Sequence, residues 1–196
     1  MRSIAISVLV LACGVANVAH AGGKVLVKTE TYPVSGTTSN AIMQSMNRGG
    51  PREGLQARAM AATRYDVHWN MNWDKSGGAC HLRSATPTLS LTYRFPKLAS
   101  RVSPDLKQRW DRFMVGVRTH EQVHGKIAQD MANAAQSALT GISNNNDPNC
   151  TKSQAEVQRR VKGVYSEYEG RQRGFDAKEH RPGGNVERLV GDFMRG

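Results

Sequence analysis

The chain has 196 residues, of which 39% are hydrophobic, and it carries 27 lysine and arginine residues against 16 acidic ones. This length suits one domain with a sizeable core, and the formal net charge of +11 favours anionic surfaces or polyanions as partners. The basic residues are scattered rather than gathered with aromatic side chains, so we expect no nucleic-acid binding, and no apolar run is long enough for a transmembrane helix.

The N-terminus has the features of a secretory signal. Arg2 provides a positive start, an apolar run extends from Ile4 to Ala12, and Ala19-His20-Ala21 forms a small-x-small cleavage site. We therefore predict a signal peptide over residues 1–21 and a single exported domain over residues 22–196, which would be periplasmic or secreted. Cleavage removes only Arg2 among the charged residues, so the exported chain keeps a net charge of +10.

The three cysteines have different predicted roles. Cys13 falls within the signal, and in the alternative to simple cleavage it is the lipidated residue of a lipoprotein. Cys80 and Cys150 remain in the exported chain, where an isolated pair is most simply a disulfide. The bond would close a long loop and stabilise the fold by about 3–5 kcal/mol. Neither cysteine has a C-x-x-C partner, so we do not expect them to bind zinc.

Residues 24–100 predict an antiparallel sheet of three to four strands. The first strand runs from Lys24 to Val34, and residues 37–47 predict a short helix after it. The clearest strand signal starts at Tyr65, and its alternation places one set of side chains inward: Tyr65, Val67, Trp69, Met71 and Trp73. A turn at residues 75–78 leads to a returning strand. Its two-residue period is marked by Leu82, Leu89, Leu91, Tyr93 and Phe95.

The helical part of the domain covers about residues 103–175. Ser103-Pro104 combines a capping residue with a first-turn proline and predicts the start of a long helix. Helical periodicity continues to about Leu139, a length that suggests a bend or short break near Gly116 or Gly125.

A second helix and a tail complete the predicted domain. The helix extends from Thr151 to about Arg171, and residues 181–196 form the tail. Apolar residues predict that a turn or two of this tail docks onto the domain: Val186, Leu189, Val190 and Phe193. Because strands come first and helices second, the predicted fold class is α+β.

The long helix contains the pattern H-E-x-x-H at His120-Glu121-Gln122-Val123-His124. Residues four apart lie on one face of a helix, so both imidazoles can reach one metal ion while Glu121 acts on a water molecule as general base. Apolar residues at helical spacing surround the pattern: Trp110, Phe113, Met114, Val117, Ile127, Ala128 and Met131. The alternative is a chance match on a solvated helix.

A catalytic zinc site needs a third protein ligand and one position open to water. His180 is the predicted third ligand, because it follows the second helix, where a returning chain could bring it to the motif. Asp176 and Glu179 in the same segment are its rivals. His68 and His81 lie on the predicted sheet and are expected to be polar surface residues rather than ligands.

Further residues of the exported chain, taken together in their order and spacing, match the pattern of a known family. They are Tyr32 to Gly36, Met46, Gly49-Gly50-Pro51, Thr63 to Trp69, Cys80, Thr88-Leu89, Trp110, Phe113, His120-Glu121, His124, Cys150 and Phe175-Asp176. With them the chain resembles a bacterial family of predicted secreted zinc-dependent proteases that is catalogued largely as a domain of unknown function. The resemblance implies a zincin-like fold and a Zn²⁺ cofactor.

The late segment departs from the pattern of that family, which usually reads aromatic-Asp-x-x-Thr-x-His-Gly. Glu179 stands where the family has threonine, and His180 comes one residue early. The third ligand therefore stays open among His180, Asp176 and Glu179.

The resulting expectation is a secreted zinc-dependent peptidase that hydrolyses peptides or proteins of the cell envelope, with a water activated by zinc and Glu121 as catalytic base. The alternative is a non-catalytic zinc-containing envelope protein that binds an anionic glycan, lipid or protein partner through its basic surface.

Overall fold

The computed structural model describes residues 23–53 and 57–195, so the predicted signal peptide and Cys13 lie outside the described residues. The elements in chain order are β1 Lys24–Val34, α1 Ser39–Gly49, β2 Arg52–Glu53, β3 Ala57–Arg58, β4 Ala62–Ser76, β5 Ala79–Leu98, α2 Pro104–Ala138, β6 Ser143–Asn144, α3 Thr151–His180 and α4 Asn185–Met194. The predicted α+β class is confirmed. Among the described helices, none combines the length and the apolar character needed to span a bilayer.

The main sheet is mixed, so the prediction of a purely antiparallel sheet is wrong. Its long strands are ordered β1-β5-β4, and the short β6 also pairs with β5. A tight turn at Gly77 and Gly78, both with positive φ, joins β4 to β5 and makes that pair antiparallel. β5 then returns between β4 and β1, where it runs parallel to β1 from Lys24↔Thr88 to Val34↔Leu98. Alternation along a strand identifies its inward face but not the strands beside it. The parallel pairing of β1 with β5 therefore could not be predicted from the alternation.

The helices cover one face of the sheet. On β4 the side chains predicted to point inward are half-buried, whereas their neighbours such as His68 and Asn70 are exposed on the opposite face. The larger core cluster joins this sheet to the first half of α2, and it includes Tyr32, Val34, Phe95, Trp110, Phe113, Met114, Val117 and Phe193. Each of these large side chains contributes about 1.5–3 kcal/mol by burial, so the turns of α2 just before the H-E-x-x-H residues are firmly anchored.

Helix α2 is continuous over 35 residues, which does not support the suggested break. Ser103 caps it by accepting a hydrogen bond from the backbone NH of Leu106 at 3.3 Å. The two glycines permit close approaches instead. A Cβ atom at Gly125 would lie 1.9 Å from the Tyr93 hydroxyl, and one at Gly116 would lie 2.6 Å from Leu189. Glycine therefore lets the sheet and α4 pack directly against the helix that carries the motif.

Helix α3 continues to His180, well beyond its predicted end near Arg171. His180 thus lies in the last helical turn rather than in a segment after the helix. The tail forms the ten-residue helix α4, which docks through buried Val186 and Phe193.

The structure forms the predicted disulfide between Cys80 and Cys150, which are 70 residues apart in sequence. The bond ties the beginning of β5 to the N-terminus of α3, and both cysteines are fully buried. It therefore anchors the helix that runs opposite the H-E-x-x-H residues.

Replacing both cysteines by serine should lower the free energy of unfolding by about 3–5 kcal/mol, because the unfolded chain regains the entropy of a long open loop. Urea denaturation of the variant and of the oxidised wild type measures this difference. The wild type unfolded in the presence of a reductant is the matched control and should approach the variant. Equal urea midpoints for all three samples would contradict the expectation.

Candidate metal centre

The H-E-x-x-H residues lie in a cleft of about 720 Å³ between α2, the C-terminal half of α3, the beginning of β4 and α4. Polar side chains from α2 and α3 converge at its floor: His120, Glu121, His124, Gln172, Asp176 and His180. The apolar residues Val117, Val186 and Leu189 form part of its wall. The cleft is open to solvent on one side.

Two helices bring the polar residues together by the same local rule. His120 and His124 are one turn apart on α2, and Gln172, Asp176 and His180 are spaced by four on α3. His124 contacts Gln172 while His120 approaches His180, so the two helices run antiparallel at the site. Each helix therefore presents one polar stripe to the other.

Three electron-donating atoms form a compact triangle at this contact. Nε2 of His120 lies 3.1 Å from Nε2 of His124. Oδ1 of Asp176 lies 2.9 Å from Nε2 of His124 and 3.3 Å from Nε2 of His120. Ligand atoms about 2.0–2.1 Å from a tetrahedral zinc ion lie about 3.3 Å from one another. Two imidazole nitrogens and one carboxylate oxygen therefore fit zinc in both chemistry and spacing.

Gln172 orients the ring of His124 and identifies its tautomer. Nε2 of Gln172 donates to the backbone oxygen of His124 at 3.1 Å, which turns its Oε1 towards Nδ1 of the ring at 2.5 Å. An amide oxygen only accepts hydrogen bonds, so Nδ1 must carry the proton. In the neutral imidazole, Nε2 then has the free lone pair that a metal needs, and this atom faces the other atoms of the triangle.

His120 is half-enclosed between α2 and α3. The ring of Phe175 stacks on it, with centroids 4.9 Å apart. Burial, together with nearby His124, lowers the pKa of His120 below its ordinary value, against the opposing charge of Asp176. The neutral form, which metal binding requires, is thereby favoured.

Glu121 lies beside the triangle and is only 6% exposed. The hydroxyl of Thr63, at the beginning of β4, donates a hydrogen bond to its Oε2 at 2.6 Å. This contact fixes the carboxylate between the edge of the sheet and the motif helix, inside the same cleft.

The other candidate ligands occupy different places. One ligand atom each of His120, Asp176 and His180 lie within 4.8 Å of one another, so these three residues form a second possible ligand set. Glu179 faces the opposite nitrogen of His120, with Oε2 3.9 Å from Nδ1. His81 is away from the cleft and contacts Ser143.

Gln172 and Thr63 were not among the residues that the sequence singled out for the site. Gln172 could have been predicted from its spacing. It lies four residues before Asp176 and eight before His180, which repeats the spacing of His120 and His124. No local pattern marks Thr63, since its role depends on how β4 meets α2.

Comparison with protein families gives a match over most of the chain. A family model described as "Bacterial protein of unknown function (DUF922)" matches residues 29–184, which include every polar residue of the cleft floor. No curated protein and no solved structure matches the chain.

Proposed function

This chain belongs to the bacterial family of unknown function DUF922, and we propose that it is an exported zinc-dependent peptidase. The observation that carries the proposal is the triangle of His120, His124 and Asp176 atoms beside the buried carboxylate of Glu121. Two features support export: the buried disulfide, which is typical of oxidising compartments, and the signal-like sequence over residues 1–21.

We assign metal binding to His120, His124 and Asp176, because their three donor atoms have the separations that zinc ligands need. This choice departs from the first expectation of His180 and takes up one of its rivals. His180 lines the same cleft, where its imidazole can donate a hydrogen bond to a substrate.

Zinc, when bound, would supply Lewis acidity towards a carbonyl oxygen and lower the pKa of a water molecule. Glu121 would accept a proton from the attacking water on its carboxylate and later deliver it to the leaving amine. Thr63 would hold that carboxylate in place through its hydrogen bond. Phe175 would shield the histidine rings from bulk water.

The cleft suits an extended peptide. β4 pairs only with β5 among the described strands, so its other edge is available beside the cleft. The cleft lining just before this strand includes the small residues Ala59 and Ala61 together with Arg58 and Met60. A peptide added along the edge would place its backbone next to Glu121 and leave room for its side chains.

The purified exported protein should contain about one zinc ion per chain and cleave casein or a mixed peptide library, because a single three-ligand site binds one metal. A chelator should abolish cleavage, and added zinc should restore it. Metal analysis and mass spectrometry of the products measure the two results. Careful purification without any bound metal would refute the proposal. Bound zinc without cleavage would favour the non-catalytic envelope protein.

A further inference from the structure

Glu179 is a buried carboxylate that has no role in the proposed reaction. It lies in the last turn of α3 and is only 8% exposed. Its Oε2 points towards Nδ1 of His120, on the side of the imidazole away from the donor triangle. Burying a carboxylate is costly unless it has partners, so its position calls for an explanation.

A short chain of contacts from α4 holds Glu179 in this position. Asn185, the first residue of α4, donates from Nδ2 to Oε1 of Glu179 at 2.7 Å. Arg188 donates to Oδ1 of the same Asn185, so the amide can only present its NH₂ group to the carboxylate. The contacts turn the second carboxylate oxygen towards His120.

Nδ1 of His120 is the group that lacks a partner. It is buried, and among the described residues no acceptor or donor lies within hydrogen-bonding distance of it. A histidine that binds a metal through Nε2 carries its proton on Nδ1, and this N–H normally donates to a carboxylate or carbonyl. Glu179 at 3.9 Å is about 1 Å too far for a hydrogen bond and needs only a small side-chain movement to form one.

We propose that Glu179, held by Asn185 and Arg188, is a positioning residue that accepts a hydrogen bond from Nδ1 of His120 when His120 holds the metal. The proposal rests on the metal centre of the proposed function. It gives each motif histidine its own outer partner from α3, because Gln172 already plays this part for His124.

The proposal also assigns a role to α4. Asn185 and Arg188 lie after residue 184, where the family match ends. The C-terminal helix would thus complete the support of a centre whose ligands all lie within the matched region.

The test measures zinc affinity by competition with a chelating dye, on the exported protein with its disulfide intact. Glu179→Ala should weaken zinc binding by about 10–100-fold, and Asn185→Ala should weaken it less, within about 10-fold. Glu179→Gln should recover only part of the affinity, because its one amide oxygen can accept from Nδ1 only if its NH₂ group turns towards the Asn185 amide, which also donates. Glu167→Ala, which removes an exposed carboxylate from the opposite face of the same helix, is the matched control and should bind zinc as the wild type does.

Cobalt substitution distinguishes an outer partner from a ligand. The visible spectrum of the cobalt protein should keep its tetrahedral character in Glu179→Ala, because the three ligands remain. Unchanged zinc affinity in Glu179→Ala would overturn the proposal and leave the proposed function standing. Loss of the tetrahedral spectrum in both Glu179→Ala and Glu179→Gln would also overturn it, by making Glu179 a direct ligand. A wild type that takes up neither zinc nor cobalt would refute the metal centre itself.

Discussion

Replacing Glu121 by glutamine should abolish peptide hydrolysis while leaving zinc binding intact. The amide has nearly the same size as the carboxylate but cannot accept a proton from water, so the loss should be about 10²–10⁴-fold in kcat, the usual contribution of a general base. Zinc binding should survive because Glu121 is not part of the donor triangle. The cleavage rate of a fluorogenic peptide and the metal content of the same preparation measure the two effects.

Two further variants test whether hydrolysis depends on the position of the Glu121 carboxylate and whether loss of a carboxylate elsewhere on the chain has an effect. Thr63→Val removes the hydroxyl that donates to Oε2 of Glu121. It should lower kcat by about 10–100-fold, since a hydrogen bond to a charged group contributes about 1.5–3 kcal/mol. Glu167→Gln, on the side of α3 that faces away from the cleft, should have wild-type activity. A Glu121→Gln protein that cleaves at the wild-type rate would contradict the assigned role and point to another base.

The parts of the fold that follow local rules could be predicted from the sequence. The spacing of four between His120 and His124 identifies a shared helical face whatever the rest of the chain does. The alternation along β4 identifies its inward side chains for the same reason. The pairing of Cys80 with Cys150 was predictable because the predicted removal of residues 1–21 leaves only these two cysteines.

The C-terminal end of α3 could not be predicted from apolar periodicity, because few apolar residues mark its last turns. Over its last three turns most of the residues that face α2 are polar, namely Gln172, Asp176 and His180, and Phe175 is the one large apolar side chain among them. Gly174 lies within these turns, and glycine at such a position also predicts the end of a helix. The inner face of this part of the helix contributes mainly polar groups to the cleft, so it lacks the hydrophobic stripe by which a packed helix is normally recognised.

The choice of third ligand could not be made from sequence because it depends on the register between two helices. Asp176 and His180 are one turn apart on α3, so both face the motif helix. Sliding α3 by one turn would exchange them. The disulfide at the N-terminus of α3 and the docking of α4 after its C-terminus help to fix the register that brings Asp176 into the triangle.

Replacing Asp176 by alanine should therefore abolish stable zinc binding, whereas His180→Ala should retain the metal. Loss of one of three ligands should weaken binding well beyond the roughly 10–100-fold that loss of an outer partner costs. The interatomic distances give the reason, because Asp176 Oδ1 is within 3.3 Å of both Nε2 atoms. Metal analysis after gel filtration, together with chelator competition, measures the difference between the two variants.

His180→Ala should lose activity for another reason. Its imidazole lines the cleft close to His120, with ring centroids 5.7 Å apart, and can donate to the oxygen that becomes negatively charged during attack. Loss of such a donor lowers kcat by about 10²–10³-fold without removing the metal. If His180→Ala loses zinc while Asp176→Ala retains it, the assignment is reversed and His180 is the third ligand. Because both side chains lie on one face of one helix, only variants that separate metal content from turnover can distinguish a ligand from a proton donor at this centre.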